Sequence, residues 1–234
     1  MDEEKRNFSK GKTITNIDEA NAAIELQRTL LRTMAELVEF RDGDTGKHIE
    51  RTQNYLGILL GIMIMNEIYI DEIDTWDIWL VSQSVQLHDI GKIAIKDSIL
   101  QKPGRLTAEE FEEIKTHTVL GEEIIKRIEK RAPEQTFLEY ARIFAVSHHE
   151  KWDGSGYPRG LSGRDIPLQG RLMAIADVYD ALISERPYKK GLSHEEAVEI
   201  IVNGKGTHFD PLLVDVFIEA EDKFNEIAIK YKDA

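Results

Sequence analysis

Apolar residues recur at helical spacing along this chain, after a polar start. Residues 1–17 are polar and show no apolar period, which indicates a linker or tail. Over residues 18–41 the apolar positions fall on one face, and this pattern predicts a long amphipathic helix. Its stripe consists of Ile24, Leu31, Ala35 and Val38. Such a helix suits a signalling connection or a dimer contact, and Gly43 and Gly46 interrupt it.

The same periodicity predicts a series of further helices. They cover about residues 47–66, 74–88, 107–130, 135–149, 170–183 and 197–202, and a last helix begins near residue 210. Capping boxes mark two of the starts, at Thr107 with Glu110 and at Ser193 with Glu196.

Turn residues and the lack of alternation complete the prediction of the fold. Gly91 is the expected stop of the helix over residues 74–88. The predicted loops are residues 93–104 and 152–169. No segment alternates like a sheet strand over a useful length. The predicted fold is therefore all-α, with one domain over residues 18–234.

Composition restricts the partners and the compartment. The formal net charge is −13, which argues against duplex DNA and anionic membrane surfaces, because both need a basic face. A small anionic substrate is compatible with this charge, since bound divalent ions reverse the local potential. The absence of cysteine and of a signal-peptide pattern favours a reducing, cytoplasmic setting. The longest apolar run, residues 55–65, is too short to span a bilayer.

Histidines and aspartates form the strongest chemical signal in the chain. Five of the seven histidines belong to one pattern that closes on a carboxylate. The candidate metal ligands are His48, His88, Asp89, His117, His148, His149 and Asp177, with Asp44 four residues before the first histidine. Imidazole and carboxylate suit iron, manganese or zinc, and the absence of cysteine excludes a thiolate site. One four-coordinate ion needs fewer ligands, so the pattern predicts a metal-dependent hydrolase with two or more adjacent ions.

Two adjacent pairs, His88-Asp89 and His148-His149, point to the same conclusion. Neighbours on a helix diverge by roughly 100°, so both members of a pair reach a metal centre only at a helix end or around several ions. Asp89 is therefore a candidate bridge between two ions. A single pair is equally typical of ordinary polar residues at a helix end, and the series as a whole argues against that interpretation.

Lys92 and Tyr157 are candidate substrate contacts. A lysine one turn from a metal-bound carboxylate can hold a phosphate oxygen, and its spacing fits equally a solvated lysine at a helix end. Tyr157 lies between Gly156 and Pro158 in a glycine-rich loop, where backbone can approach a ligand closely. Its ring can bond a phosphate or stack on a base, although composition alone is also typical of a tight surface turn.

These motifs together resemble an HD-GYP domain, a subfamily of the HD metal phosphohydrolases. The HD pair is His88-Asp89 within HDIGK, and the GYP is residues 156–158 within HHEKWDGSGYP. Further matches are TGKH at residues 45–48, His117 with Gly121, ADVYDAL at 176–182, RPYK at 186–189 and THFDP at 207–211. The resemblance covers about residues 30–220, and the long motif around GYP is far more specific than a bare His-Asp pair.

The resemblance implies a compact helical bundle around a metal centre, with the GYP loop beside it. It implies hydrolysis of the bacterial messenger cyclic di-GMP to linear pGpG, GMP or both, by a hydroxide that bridges two or three iron or manganese ions. It carries the ligands over to the five histidines, Asp89 and Asp177, and an acidic residue at Asp44 resembles the members that hold a third ion. The implied catalytic and substrate-binding residues are Asp89, Lys92, Tyr157, Arg186 and Lys189. Asp180 is expected to support a ligand, and His208 to be structural.

Several alternatives stay open beside this interpretation. A general HD phosphohydrolase would act on another nucleotide, and the GYP loop argues against it. A hydrolase of a mixed cyclic dinucleotide fits the same motifs. A binding module would sense cyclic di-GMP or dock partner proteins without turnover, and the complete ligand set argues against it. Expected partners beside the substrate are a sensory or receiver module, a partner protein or a second copy of the chain. Asp44 is alternatively an ordinary turn residue or helix cap.

Overall fold

The computed structural model describes residues 18–19, 21–22, 25–26, 29–42, 47–132, 136–185 and 190–232. The chain divides into two compact units, residues 1–34 and residues 35–234. In the first unit every described residue is helical. The second unit begins with helical residues 35–42 and holds all the elements that follow. The tail expected over residues 1–17 lies outside the described residues, and the predicted domain limits stay a prediction.

Ten α-helices and three short 3₁₀ turns follow in the described part of the second unit. The helices are α1 Lys47–Met65, α2 Ile70–Ile73, α3 Ile78–Ser84, α4 Asp97–Leu100, α5 Ala108–Lys115, α6 His117–Glu129, α7 Thr136–Ser147, α8 Leu168–Ile183, α9 His194–Asn203 and α10 Pro211–Lys230. The 3₁₀ turns are Val85–Leu87, Ile90–Ala94 and Gly163–Asp165. The described residues contain isolated β-bridges but no strand, which confirms the all-α prediction. None of the described helices is long and apolar enough to cross a membrane.

Three predicted elements differ from the elements that the structure shows. The helix expected over residues 107–130 is two helices, α5 and α6, which meet at Thr116. The helix expected over residues 74–88 is shorter, because α3 begins only after its cap Asp77 and the chain then tightens into a 3₁₀ turn. The loop expected over residues 93–104 contains α4. Periodicity over a long window does not detect short interruptions and short helices of this kind.

An aromatic core joins α1, α8 and α10 behind the candidate site. Tyr55 of α1 stacks on Phe224 of α10 with ring centroids 4.4 Å apart, and Tyr179 of α8 meets both rings edge to face. All three side chains are fully buried. Burial of one large apolar side chain stabilises a fold by about 1.5–3 kcal/mol. This packing fixes α1 against α8, the two helices that carry His48 and Asp177.

A close approach of two backbone segments holds the turn Ile90–Ala94 against α6. A Cβ atom on Gly91 would collide with the carbonyl oxygen of His117 and with the backbone of Gly121. Glycine is required there because it has no Cβ. The prediction that Gly91 ends a helix is therefore wrong, since this residue lies inside a 3₁₀ turn and permits backbone contact.

Candidate metal centre

The His-Asp pair lies at the junction of two 3₁₀ turns. His88 closes the turn Val85–Leu87, and Asp89 opens the turn Ile90–Ala94 with φ −99° and ψ 9°. This junction lets neighbouring side chains point toward one centre, whereas neighbours on a continuous helix diverge by about 100°. His88 is only 1% exposed, and the Asp89 side chain is 13% exposed. The pair is therefore held inside the protein rather than displayed on its surface.

The other candidate ligands come from four different helices or their ends. His48 is the second residue of α1, and His117 is the first residue of α6. His148 and His149 directly follow the last residue of α7, and Asp177 lies within α8. The centre therefore exists only when these helices pack against the His-Asp junction.

The ligand atoms form two groups that share one carboxylate. The first group consists of Asp89, His117, His148 and His149. The second group consists of His48, His88 and Asp89. Within each group the ligand atoms lie within 4.8 Å of one another. Asp177 approaches the second group at His48, whose Nε2 lies 3.7 Å from Asp177 Oδ1.

Backbone carbonyls hold three of the imidazoles in one orientation. The Nδ1 atoms of His88, His117 and His148 donate to carbonyl oxygens three or four residues earlier, at 2.7–2.9 Å. A proton on Nδ1 leaves a lone pair on Nε2, which faces the centre. The Nε2 atoms of His117 and His148 lie 3.3 Å apart, and those of His48 and His88 lie 3.4 Å apart. Between His117 and His148 the facing lone pairs repel each other, and a bound cation would relieve this repulsion.

The Asp89 carboxylate fits the same cation. Its Oδ1 lies 3.2 Å from His117 Nε2 and 3.6 Å from His148 Nε2, and it is buried without a well-formed hydrogen bond to the described residues. Burial alone would raise the pKa of Asp89, but Lys92 and His88 lower it well below the usual value, so the carboxylate is ionised. A buried anion is costly unless it is paired or binds a metal. Imidazoles around an ionised carboxylate therefore fit a divalent ion.

Lys92 lies directly against this carboxylate. Its Nζ is 2.8 Å from Asp89 Oδ2 and 2.5 Å from Asp42 Oδ2. Burial alone would lower the pKa of Lys92, but the two carboxylates raise it, so the ammonium stays charged. The side chain remains 20% exposed. A phosphate oxygen that approaches Asp89 would meet this charge.

A buried polar chain supports His48 from behind. The Nδ1 of His48 lies 2.9 Å from Asp180 Oδ2, and Asp180 accepts a further hydrogen bond from Arg51 at 2.6 Å. Burial alone would lower the pKa of His48, but Asp180, helped by Glu39 and Asp177, raises it to about 10. Asp180 therefore contacts the back of a candidate ligand, as the one-turn spacing from Asp177 predicted.

In contrast to His48, the candidate ligands His148 and His149 are kept neutral by burial. Burial lowers the pKa of His148, and nearby Asp89 only partly opposes the effect. It lowers the pKa of His149 well below the usual value, with a further contribution from His148 and His117. Neutral imidazole is the form that binds a metal, so these residues need not lose a proton first.

Buried carboxylates fold the GYP loop beside the centre. Glu150 accepts hydrogen bonds from two loop amides, at 2.8 and 3.0 Å, the first from Arg159. The Arg159 side chain is held by Glu122 through two contacts of 2.9 and 3.0 Å. The Tyr157 ring then lies 4.8 Å from the His149 ring, measured between centroids. Burial raises the pKa of Tyr157, so its hydroxyl stays protonated and can donate.

Three predicted site residues, Asp44, Arg186 and Lys189, lie outside the described residues, and their roles stay predictions. His208, which was expected to be structural, stacks on Phe209 with ring centroids 4.2 Å apart. Its carbonyl accepts a hydrogen bond of 3.0 Å from the Trp152 amide. These contacts connect the start of the GYP loop to the turn before α10.

Glu39, Asp42 and Arg51 were not predicted from the sequence, yet they contact the candidate site. Glu39 is 6% exposed, and its Oε1 lies 4.0 Å from His48 Nε2. A signal for it was present, because Glu39 follows Ala35 by four residues and therefore lies on the buried face of its helix. A charged residue at a buried position calls for a partner.

Comparisons with known proteins agree with this geometry. The profile that describes the HD domain matches residues 69–213. A cyclic di-GMP phosphodiesterase of Vibrio cholerae serotype O1 is 48% identical over 202 residues, which are 86% of this chain and 41% of that protein. A 3'3'-cGAMP-specific phosphodiesterase 2 of the same organism is 38% identical over 226 residues, which are 97% of this chain and 41% of that protein. This chain therefore spans less than half of either relative.

One solved structure shows a similar fold. It is the crystal structure of a cyclic GMP-AMP specific phosphodiesterase from Vibrio cholerae, with a TM-score of 0.52 and 20% sequence identity. The match covers 88% of this chain and 51% of that one. At this identity the likeness concerns the helical fold alone.

Proposed function

Because this chain belongs to the HD domain family, we propose that it is a metal-dependent phosphodiesterase that hydrolyses cyclic di-GMP. The observation that carries the proposal is the position of Asp89, which is shared by two histidine groups and lies against Lys92. The cyclic di-GMP phosphodiesterase at 48% identity supports the choice of substrate. The GYP loop beside His149 supports it as well.

Each histidine group would hold one divalent ion, with Asp89 between them. Bound ions of this kind lower the pKa of water toward neutrality and stabilise negative charge on a phosphodiester. The ligand set suits iron or manganese. A third ion would need acidic ligands near His48. Asp44 is the proposed one, and Glu39 is a second candidate because it is buried 4.0 Å from His48 Nε2.

The remaining residues would bind and orient the substrate. Lys92 keeps its charge and its partial exposure, so it would hold a phosphoryl oxygen next to Asp89. The protonated Tyr157 hydroxyl would donate to the substrate from the GYP loop. Arg186 and Lys189 are proposed to contact its phosphates and guanine. Asp89 and Lys92 are the proposed catalytic residues.

The central experiment combines metal analysis with turnover on one sample. The chain is purified without chelator, its metals are counted, and hydrolysis of cyclic di-GMP is followed before and after metal removal. We expect at least two ions per chain, with iron or manganese restoring activity. Asp89→Asn should lose both metal and turnover, because a neutral amide is a much weaker metal ligand than an ionised carboxylate. Equal hydrolysis by metal-free and metal-loaded protein would contradict the proposal.

The product depends on the third ion. A third cation would help a linear intermediate with two phosphate groups rebind, which would favour GMP over linear pGpG. Replacement of Asp44 by alanine should then lower the metal count and cause pGpG to accumulate. An unchanged metal count with unchanged products would make Asp44 an ordinary turn residue and the site binuclear.

Two alternatives are tested by the same assay. The relative named for 3'3'-cGAMP is 38% identical, so turnover of this mixed dinucleotide must be compared with that of cyclic di-GMP. A non-catalytic sensor would bind cyclic di-GMP without turnover even when loaded with metal. We further propose a cytoplasmic setting and control by a sensory or receiver module, a partner protein or a second copy, through the helix over residues 18–41.

A further inference from the structure

The outer face of α5 places an aromatic ring and a cation beside the GYP loop. Phe111 and Lys115 are four residues apart, so they share one face of this helix. Phe111 is 49% exposed, and no residue of α5 is buried. A large aromatic side chain left half in water contributes little to the core, so its position calls for another explanation.

Phe111 continues a row of rings that starts at the metal centre. The Tyr157 ring lies 4.8 Å from His149 on one side and 6.4 Å from Phe111 on the other, between centroids. Phe111 and Tyr157 meet nearly at right angles, at 81°. The row therefore leads from a candidate metal ligand to the protein surface, and it ends in an accessible ring.

Lys115 lies against both of the outer rings. Its Nζ is 5.6 Å from the Phe111 centroid and 5.5 Å from the Tyr157 centroid. Among the described residues one carboxylate, that of Glu112, pairs with it at 2.6 Å, and an ammonium has three N–H donors. The side chain is 24% exposed. A cation with N–H donors that Glu112 does not use therefore lies where the two aromatic rings meet.

An aromatic ring beside a cation is well suited to bind a nucleotide base. Aromatic side chains stack on any base, because every base has a π face. A lysine donates only, and the outer edge of guanine offers two acceptors, O6 and N7. Adenine offers one acceptor there and presents an amino group in place of O6. An ammonium beside the ring thus distinguishes the two purines.

We infer that Phe111, Lys115 and Tyr157 form a subsite for one purine base of the substrate, and that Lys115 makes this subsite prefer guanine to adenine. The inference rests on the proposed function and adds two residues that determine specificity. Phe111 supplies the stacking surface, and Lys115 reads the edge of the base. The subsite lies beside the metal centre because Tyr157 contacts both His149 and Phe111.

The test compares substrates that differ only in their bases. The variants are Phe111→Ala and Lys115→Met, and kcat/KM is measured for cyclic di-GMP, cyclic di-AMP and methyl p-nitrophenyl phosphate, a phosphodiester without a nucleobase. Phe111→Ala should lower kcat/KM for both dinucleotides about tenfold more than for the simple ester. Lys115→Met should reduce the preference for cyclic di-GMP over cyclic di-AMP about tenfold.

A matched control separates base recognition from a structural role. Lys96 also pairs with a glutamate of α5, Glu113 at 2.9 Å, but its side chain is 71% exposed. Lys96→Met should leave the base preference unchanged. Parallel losses on all substrates in the Phe111 and Lys115 variants would overturn the inference, because they would indicate that these residues only hold the loop in place.

Binding of mononucleotides keeps the test independent of turnover. The Kd values of GMP and AMP are measured for the wild-type chain and the same variants. Wild type should bind GMP more tightly, and Lys115→Met should remove most of that difference. Equal affinities in wild type would overturn the inference. If cyclic di-GMP is not hydrolysed but the GMP preference depends on Lys115, the proposed function fails while the subsite stands.

Discussion

Arg51 and Asp180 form a buried two-point ion pair behind the candidate metal centre. Arg51 Nε lies 2.6 Å from Asp180 Oδ1, and Nη2 lies 2.9 Å from Oδ2. Burial alone would raise the pKa of Asp180, but His48 and Arg51 lower it, so the carboxylate is ionised. One pair therefore both connects α1 to α8 and orients His48.

Removal of Arg51 should destabilise the fold strongly. Arg51→Ala leaves the Asp180 charge buried with a weaker counterion, and breaking such a pair typically costs about 3–5 kcal/mol. Urea unfolding monitored by circular dichroism measures the change. The control is Arg127→Ala, whose partner Glu123 lies 3.8 Å away and whose side chain is 76% exposed. That exposed pair should be worth at most about 1 kcal/mol. Similar losses in both variants would contradict the structural role of Arg51.

Replacement of His88 should lower the metal content, whereas replacement of His194, which lies outside the ligand groups, should not. His88 is buried in the second ligand group, so His88→Ala should leave at least one ion fewer per chain and abolish turnover. His194 instead lies 2.9 Å from the hydroxyl of Tyr179 at the start of α9. His194→Ala should keep the full metal content. Elemental analysis measures the metal content of both variants. Equal metal contents would show that His88 is not a metal ligand.

Two glycine substitutions should have opposite effects. Gly91→Ala pushes a methyl group into the backbone of His117, so the His-Asp junction must move away from α6. We expect a loss of about 1–3 kcal/mol in the free energy of unfolding, together with a lower metal content. Gly57→Ala lies in α1 with no atom within 4 Å of the added Cβ, and it should stabilise by about 0.5–1 kcal/mol. Denaturant unfolding measures both, and a tolerated Gly91→Ala with full metal would refute the close approach.

Stability should fall in acid partly through His208. Burial, then the charge of Lys151, lowers the pKa of His208 from 6.5 to about 4, although Asp153 and Asp177 oppose the shift. The unfolded chain therefore binds a proton between pH 6.5 and 4 that the folded chain does not, so this contribution is lost as the pH falls through that window. The free energy of unfolding is measured on protein from which metal has been removed by a chelator. Between pH 7 and 4.5 it should fall less for His208→Gln than for wild type. Identical slopes for the two proteins would show that His208 titrates alike in both states.

Much of the fold followed from local patterns. The helical period of residues 47–66 agrees with α1, Lys47–Met65, and both capping boxes are present at Thr107 and Ser193. The all-α prediction and the HD-GYP resemblance are confirmed. The break between α5 and α6 at Thr116 was missed, because neither glycine nor proline marks it in the sequence.

The sequence alone established the family, the helical class and the types of ligand, because motif spacing and periodicity are properties of chain order. It left open which ligands share an ion. Only the packed helices decide that Asp89 belongs to both histidine groups and that Asp180 supports His48 across 132 positions of chain. The same holds for Phe111 and Lys115, whose role depends on a loop that begins after α7. Such contacts join residues that are far apart in the chain and form only when the helices pack. The residue pattern within one helix shows which positions are buried, but it does not show which residue of another helix each polar side chain contacts.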